Sequence, residues 1–170
     1  ISVAFSCAGD ARTRADLVPE DTLLIDRVTG RVVIEMYPDF APGHVTRIRK
    51  LVRAGLYDGV AFHRVIDGFM AQTGDVKYGN VKSNYNPSLV GTGNSDLANL
   101  PAEFNELKHL RGTVSMARTS DPNTANSQFF ICFADAAFLD GQYTVWGQVV
   151  EGMDHVDKIL VLRGGRVEMF

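Results

Sequence analysis

Long apolar runs are missing from this chain of 170 residues. A helix that spans a bilayer needs roughly 18–20 consecutive apolar residues. The longest candidate, Ile1–Gly9, is much shorter. We therefore expect a protein without a membrane-spanning helix and without a membrane partner.

Cysteine is scarce, and the two that occur, Cys7 and Cys132, form no CxxC pair. Cys132 lies within the apolar stretch Phe129–Phe133, where a core thiol is much more common than a reactive one. The sequence thus favours a buried thiol over a nucleophile, and nothing in it demands an oxidising compartment.

An excess of basic charge is also missing, because 17 Lys and Arg stand against 20 Asp and Glu, a net charge of −3. A protein that binds the phosphate backbone of a nucleic acid usually carries a basic balance or a basic stripe. The basic residues between Arg47 and Arg53 are more simply the solvated face of a helix. We expect no nucleic acid partner.

The motifs of the common hydrolases, nucleotide-binding proteins and zinc enzymes are absent, since the chain has no GxSxG, no GxxxxGK[ST] and no HExxH. Its four histidines, at positions 44, 63, 109 and 155, are scattered and lack partners at metal-ligand spacing. The segment Gly91-Thr92-Gly93 lacks the third glycine of a dinucleotide loop and favours a turn. The sequence predicts no metal and no cofactor, so an enzyme of this sequence would work without nucleophile, metal or coenzyme.

What the chain does contain is a series of short β-branched runs and two stretches of helical periodicity. The predicted strands are Thr22–Val28, Arg31–Tyr37, Val60–Ile66, Phe69–Thr73, Val114–Ala117, Gln128–Phe133, Val145–Val150 and Val167–Phe170. The predicted helices are Pro42–Ala54 and Gly152–Leu160, and residues 74–101 are expected to form a long loop. This pattern is typical of a mainly β protein, an antiparallel barrel or sandwich with helices packed on its ends.

The chain is expected to form one domain with an N-terminal extension. Residues 1–20 show little periodicity and several charges. They predict an arm, or the remnant of a processed targeting segment. The domain itself is expected over residues 21–170.

One predicted strand carries a charge on an apolar face. Alternate residues of a strand share a face, so Arg64 lies beside Phe62 and Ile66. An arginine in such a setting is in a buried ion pair, reaches solvent, or faces a functional site. Taken alone, the strand favours the first two explanations over the third.

A second strand has phenylalanine on both faces. Gln128 and Phe130 share one face, whereas Phe129 and Ile131 take the other. One face is then expected to be core and the other to line something apolar. Together with residues 69–72 and Arg64, this gives a hydrophobic surface with one guanidinium and two amides, the composition of a pocket for a small ligand or a peptide.

Three sequence blocks resemble the cyclophilins. The first, Phe62–Asp75, reads FHRVIDGFMAQTGD and is similar to the cyclophilin signature FHRxIxGFMxQxGD. The second is Ser115–Arg118 with Asn126–Ile131, and the third is Phe138–Gly141 with Val145–Gly147. All three stand in family order, and the resemblance covers about residues 22–162. It implies a closed eight-stranded antiparallel barrel capped by two α-helices.

The resemblance implies a peptidyl-prolyl cis–trans isomerase that assists protein folding and needs no cofactor. By the matching positions, Arg64, Phe69 and Gln72 would be the catalytic residues, with Arg64 stabilising a twisted amide. The implied substrate-binding residues are His63, Met70, Ala117, Arg118, Gln128, Phe130, Phe138, Leu139 and Tyr143. The alternative is a module that binds proline-containing peptides, or acts as a chaperone, without turnover.

Within that set the resemblance assigns separate tasks. Four apolar side chains would form the proline pocket: Phe69, Met70, Phe130 and Leu139. Gln72 would orient Arg64. The main chain of residues 117 and 118 would bind the peptide.

Three positions depart from the eukaryotic pattern. Phe138 stands where many eukaryotic members have Trp, Tyr143 where they have His, and Arg118 where they have Asn. These residues are similar to those of bacterial-type members. Because the Trp indole serves cyclosporin binding in the family, reduced affinity for cyclosporin is implied.

Partners and compartment follow from the resemblance and from the composition. The implied partners are proline-containing polypeptides, and the expected state is a monomer. Low cysteine use and the acidic net charge favour a bacterial cytoplasm. If the N-terminal segment is a processed signal remnant, the periplasm or secretion is the alternative.

Overall fold

The computed structural model describes residues 17–161 and 168–169. Most of the predicted arm, residues 1–16, lies outside the described residues, as does Cys7. The last predicted strand is described only at Glu168–Met169. Ahead of the first strand, Pro19–Asp21 forms a short 3-10 turn.

Strands dominate the described chain. They are β1 (Thr22–Arg27), β2 (Gly30–Met36), β3 (Ala61–Phe62), β4 (Arg64–Ile66), β5 (Met70–Thr73), β6 (Thr113–Met116), β7 (Phe129–Cys132), β8 (Val145–Glu151) and β9 (Glu168–Met169). Helix α1 (Pro42–Arg53) follows β2, and helix α2 (Met153–Val161) follows β8. Each predicted strand and helix has its counterpart, although the predicted strand Val60–Ile66 divides into β3 and β4.

Seven strands form one curled antiparallel sheet in the order β1-β2-β8-β6-β7-β5-β4, and β3 pairs with β9 in a separate ladder. The prediction of a closed eight-stranded barrel is therefore wrong, because the described residues form an open half-barrel with β1 and β4 at its edges. The cause lies where β3 gives way to β4. The N–H of His63 donates to Gln72 O at 3.1 Å within the sheet, whereas the N–H of Ala61 donates to Gly79 O at 2.9 Å. The predicted strand Val60–Ile66 thus pairs within the sheet only from His63 onward, and β3 bonds elsewhere.

The main core lies between this sheet and the two helices. Helix α1 contributes Val45, Ile48 and Leu51, whose spacing of three residues places them on one face. Trp146 of β8 meets Phe129 of β7 edge to face, with ring centroids 5.3 Å apart, a favoured geometry for aromatic pairs. Among the described residues, no helix is both long and apolar enough to cross a bilayer.

Helix α1 is capped from a distant part of the chain. Its N-cap residue, Ala41, offers no side-chain acceptor, and Glu103 supplies one instead. The carboxylate accepts the N–H of Gly43 at 2.9 Å and the N–H of His44 at 3.0 Å, and the His44 Nδ1 lies 2.6 Å from it. Two orphan donors of the first turn are satisfied in this way, so residues 102–106 are tied to the helix.

The carboxyl group of Glu103 titrates abnormally because of this cap. Burial alone would raise its pKa, but the His44 ring and the two backbone donors outweigh burial and hold the pKa below its ordinary value. A carboxyl with a depressed folded pKa stabilises the fold above its unfolded pKa, about 4.3. That contribution is lost as the pH falls through the folded pKa.

We predict that Glu103→Ala lowers the free energy of unfolding at pH 7 by about 2–3 kcal/mol, because a helix cap and charged hydrogen bonds are lost together. Urea unfolding measures the change. Glu106→Ala, an exposed acid of the same segment, should stay within about 0.5 kcal/mol of the unaltered protein. The difference in free energy of unfolding between the unaltered protein and Glu103→Ala should decrease below about pH 4.3, the pKa of an unfolded Glu. A difference that is constant with pH would contradict the lowered pKa of Glu103.

Candidate functional site

Ten residues from β4, β5, β7, the turn between β4 and β5, and two loops line a cleft of about 300 Å³. They are Arg64, Phe69, Met70, Gln72, Ala117, Arg118, Phe130, Phe138, Leu139 and Tyr143. Of the twelve residues singled out in the sequence, only His63 and Gln128 fall outside this lining. The sequence thus identified the walls of one continuous depression in the surface.

The floor of the cleft depends on the two faces of β5 and β7. Ala71 and Ile131, which pair across the two strands, point into the main core. Met70 and Phe130 point the other way and belong to a second, smaller apolar cluster that also contains Leu139. The expectation that one face of β7 is core and the other lines something apolar is confirmed.

Two aromatic rings stand at the rim above this floor. The centroids of Phe69 and Phe138 lie 5.4 Å apart, with the rings tilted by 45°. Phe138 is 66 % exposed, whereas Phe69 is half-buried. An apolar molecule entering the cleft would therefore pass an aromatic edge before it reached the buried floor.

Arg64 is exposed and is held by a chain of amides. Its Nη1 donates to Gln72 Oε1 at 3.2 Å, and Arg64 and Gln72 face each other across the pairing of β4 with β5. The Gln72 Nε2 donates in turn to Gln128 Oε1 at 2.9 Å. The exposure of Arg64 rules out the buried ion pair considered above. Its guanidinium instead stands at the cleft with its direction fixed by Gln72.

Gln128 belongs to a neighbouring cleft of about 360 Å³. Its Nε2 donates to the carbonyls of Gly91 at 3.1 Å and Gly93 at 2.7 Å, which ties the long loop to the site. Gln72, Ala117 and Arg118 line both depressions and form the boundary between them. Apart from Arg118, the lining of this second cleft is uncharged.

Asp75 anchors the long loop, and sequence reasoning assigned it no role. Its carboxylate is fully buried. Oδ1 accepts the N–H groups of Lys77 at 3.1 Å and Tyr78 at 2.8 Å, and Oδ2 accepts those of Gly91 at 2.7 Å and Gly93 at 2.9 Å. The signal that could have revealed it is a Gly-Asp pair after a strand and ahead of a Gly-rich stretch, where the Asp side chain organises a turn.

Gly91 and Gly93 also settle two sequence interpretations. The Thr92 N–H donates to Leu89 O at 3.0 Å and closes a turn over residues 89–92, so a turn is confirmed at Gly91 and Thr92, and Gly93 follows it. A Cβ at Gly91 would lie 3.2 Å from Cδ2 of His63. The His63 ring therefore lies half-buried against the loop rather than in the lining of the cleft.

Arg118 connects the two loops that flank the cleft. It donates from Nη2 to Gln142 O at 2.6 Å and from Nη1 to Thr119 O at 2.9 Å, while its Cζ lies 4.3 Å from the centroid of the Tyr143 ring. The side chain thus has a structural task of its own. In the neighbouring residue, Ala117, the backbone N–H is already taken by Gln128 O at 3.0 Å.

Burial shifts the pKa values of two histidines and one thiol near the cleft toward their neutral forms. Burial lowers the pKa of His63, against the opposing influence of Asp75. Burial likewise lowers the pKa of His109, against the opposing hydrogen bond and charge of Asp140. Burial raises the pKa of the Cys132 thiol to about 12, which confirms the predicted core thiol. Within the described residues, no three His, Cys, Asp or Glu side chains gather into a metal site.

Comparisons with known proteins agree with this geometry. Residues 22–168 match the family described as cyclophilin type peptidyl-prolyl cis-trans isomerase/CLD. A probable peptidyl-prolyl cis-trans isomerase of Brucella suis is 57% identical over 151 residues, which are 89% of this chain and 77% of the relative.

Solved structures show the same likeness. A cyclophilin from Hirschia baltica has a TM-score of 0.71 and 30% identity, over 90% of this chain and 73% of the other. A Cryptosporidium parvum cyclophilin type peptidyl-prolyl cis-trans isomerase, crystallised in the presence of the dipeptide Ala-Pro, has a TM-score of 0.75 and 26% identity. That likeness covers 87% of this chain and 94% of the other.

Proposed function

Because the chain belongs to the cyclophilin-type peptidyl-prolyl cis–trans isomerases, we propose that it catalyses rotation about Xaa-Pro peptide bonds in the cleft between Arg64 and Phe130. The observation that carries this proposal is the exposed guanidinium of Arg64, directed by Gln72 over an apolar floor. The substrates are proline-containing polypeptides, and the reaction assists their folding.

The barrier to this reaction is electronic. Amide resonance resists rotation by about 18–20 kcal/mol. Halfway through the turn the resonance is lost, and the prolyl nitrogen becomes pyramidal and regains a lone pair. A positively charged N–H donor near that nitrogen stabilises the twisted state more than either planar isomer, which is the condition for catalysis. In this proposal Arg64 is that donor.

The amide chain behind Arg64 supports this role. A guanidinium on an exposed side chain has many rotamers, and each one that points away from the substrate reduces catalysis. The bond from Nη1 to Gln72, and that of Gln72 to Gln128, restrict those rotamers before substrate arrives. Preorganised charge needs no rearrangement during the reaction and is therefore worth more than charge in water.

The apolar cluster supplies the second requirement, a grip on the proline ring. Phe69, Met70, Phe130 and Leu139 present hydrocarbon and aromatic surface without charge. They would hold the pyrrolidine ring still while the preceding carbonyl turns. Phe138 and Tyr143 would extend this surface toward the flanking residues of the peptide.

The polar boundary of the cleft would hold the peptide backbone. The N–H of Ala117 already donates to Gln128 O. We therefore propose that the carbonyl of Ala117 and the main chain of Arg118 make this contact. His63 and Gln128 would act by supporting the loop at Gly91.

We predict that Arg64→Ala lowers kcat/KM for an Xaa-Pro peptide about 10–100-fold, because a charged hydrogen bond is worth about 1.5–3 kcal/mol. A protease-coupled isomerisation assay measures it, with urea unfolding to verify the fold. Arg64→Lys keeps the charge but loses the planar guanidinium, so its kcat/KM should lie between those of the unaltered protein and Arg64→Ala.

Arg53→Ala, an exposed arginine at the end of α1, serves as the matched control and should leave kcat/KM unchanged. Full activity in Arg64→Ala would remove Arg64 from the mechanism. Uncatalysed rates in the unaltered protein, despite measurable peptide binding, would favour a binding module instead.

Cyclosporin is proposed to inhibit this protein weakly, because Phe138 offers no indole donor. Phe138 is 66 % exposed, so a larger ring fits without repacking. We predict that Phe138→Trp lowers the cyclosporin concentration for half-inhibition about tenfold, the effect of one added hydrogen bond. Phe104→Trp, at an exposed phenylalanine outside the cleft, should change nothing, and equal inhibition of all three proteins would contradict the proposal.

We also propose that the protein acts as a monomer in a bacterial cytoplasm. The acidic net charge of −3 and the unpaired, buried Cys132 support this location. Cell fractionation together with size-exclusion chromatography tests both statements. Recovery from the periplasm, or elution as a dimer, would contradict the corresponding one.

A further inference from the structure

A buried histidine lies behind the floor of the cleft without lining it. The ring of His109 is fully buried and stacks on Phe130, with centroids 6.2 Å apart and planes 14° from parallel. On another side, Phe130 receives the Tyr143 ring edge to face at 5.9 Å. The ring that forms the floor is therefore placed by two aromatic neighbours, of which His109 is the one hidden from substrate.

Both ring nitrogens of His109 have partners. Nδ1 lies 3.0 Å from Asp140 Oδ1, and Nε2 lies 2.9 Å from Ser115 Oγ. The backbone N–H of His109 donates to the same Asp140 oxygen at 2.8 Å. Because a carboxylate only accepts hydrogen bonds, Nδ1 carries a proton. The Ser115 Oγ lies within hydrogen-bond distance of both Nε2 and the carbonyl of Thr144, which is 3.0 Å away. Two side-chain hydrogen bonds and the stacking on Phe130 therefore fix the plane of the imidazole.

These partners connect the floor of the cleft to its rim. Asp140 directly follows Leu139 and stands two residues after Phe138, and both of those line the cleft. The N–H of Ala136 donates to His109 O at 2.8 Å, so His109 holds the segment 136–140 at both ends. The backbone and the imidazole of His109 together thus connect Phe130 to the rim residues of that segment.

We propose that His109 is a positioning residue of the isomerase, which fixes the width of the proline pocket by holding Phe130 against the rim segment 136–140. The inference rests on the proposed cleft. His109 acts only through other side chains, since neither it nor Asp140 touches the space where a proline ring would lie. A pocket of altered width would bind the planar and the twisted states of the substrate equally badly, so KM rises and kcat changes little.

The test is His109→Phe, which keeps a ring for stacking but removes both side-chain hydrogen bonds. In the protease-coupled assay we expect KM for an Xaa-Pro peptide to rise about tenfold and kcat to change less than about twofold. His44→Phe is the matched control. It is also a fully buried histidine bonded to a carboxylate, but it lies on α1, outside the cleft. It should lower the unfolding midpoint and leave KM unchanged.

A second variant covers the case in which His109→Phe does not fold. Asp140→Asn retains an oxygen for the backbone N–H but loses the charge that faces the imidazole, and we expect a KM increase of about threefold. In a peptide titration followed by NMR, the Leu139 methyl signals of this variant should shift less than those of the unaltered protein.

The outcomes separate this inference from the proposed cleft. An unchanged KM in every folded variant of His109 and Asp140, together with the expected fall of kcat/KM in Arg64→Ala, overturns the inference alone. An equal KM rise in His44→Phe also overturns it, because general destabilisation would then explain the effect. Full activity in Arg64→Ala overturns the cleft and this inference together.

Discussion

The register between β5 and β7 is the constraint on which the rest of this structure depends. Gln72 pairs with Phe130, and Met70 pairs with Cys132. Because side chains alternate along a strand, this register sends Ala71 and Ile131 into the core and leaves the site residues on the opposite face. A slip of one residue on either strand would exchange the two sets. The packing of the core thus determines the register of β5 and β7, and this register determines which side chains face the cleft.

Positioning, more than reactivity, distinguishes the groups around the cleft. The histidines and the thiol near the floor are buried, and burial shifts their pKa values toward the neutral forms. The exposed charge, Arg64, is oriented through Gln72, Gln128 and the loop that Asp75 anchors. This arrangement suits a reaction in which no covalent bond forms or breaks and only the dihedral angle of a peptide bond changes.

Local patterns in the sequence were sufficient for most of the secondary structure and for the lining of the cleft. The alternation around Phe130 correctly separated a core face from a site face, and the block Phe62–Asp75 gave the residues of β4 and β5. These features depend on neighbours along the chain, or on a motif that can be matched letter by letter.

Contacts between distant residues were beyond the same reasoning. Closure of the barrel was wrongly expected, because β3 forms its backbone hydrogen bonds with residues that are distant in the sequence, Gly79 and β9. Glu103 caps a helix 60 residues earlier in the chain, and no local pattern announces such a cap. His109 was likewise missed as an organiser of the site, since its partner Asp140 lies 31 residues away.

The shared strands of core and cleft restrict how this protein can diverge. A substitution at Met70 or Phe130 changes the floor, yet it also disturbs strands whose reverse faces hold the molecule together. Thr92, Thr119 and Phe138 also line the two clefts, but they lie in loops outside these strands. New preferences for substrate peptides should therefore arise in those loops, through insertions and substitutions, while the sequences of the strands beneath them change more slowly.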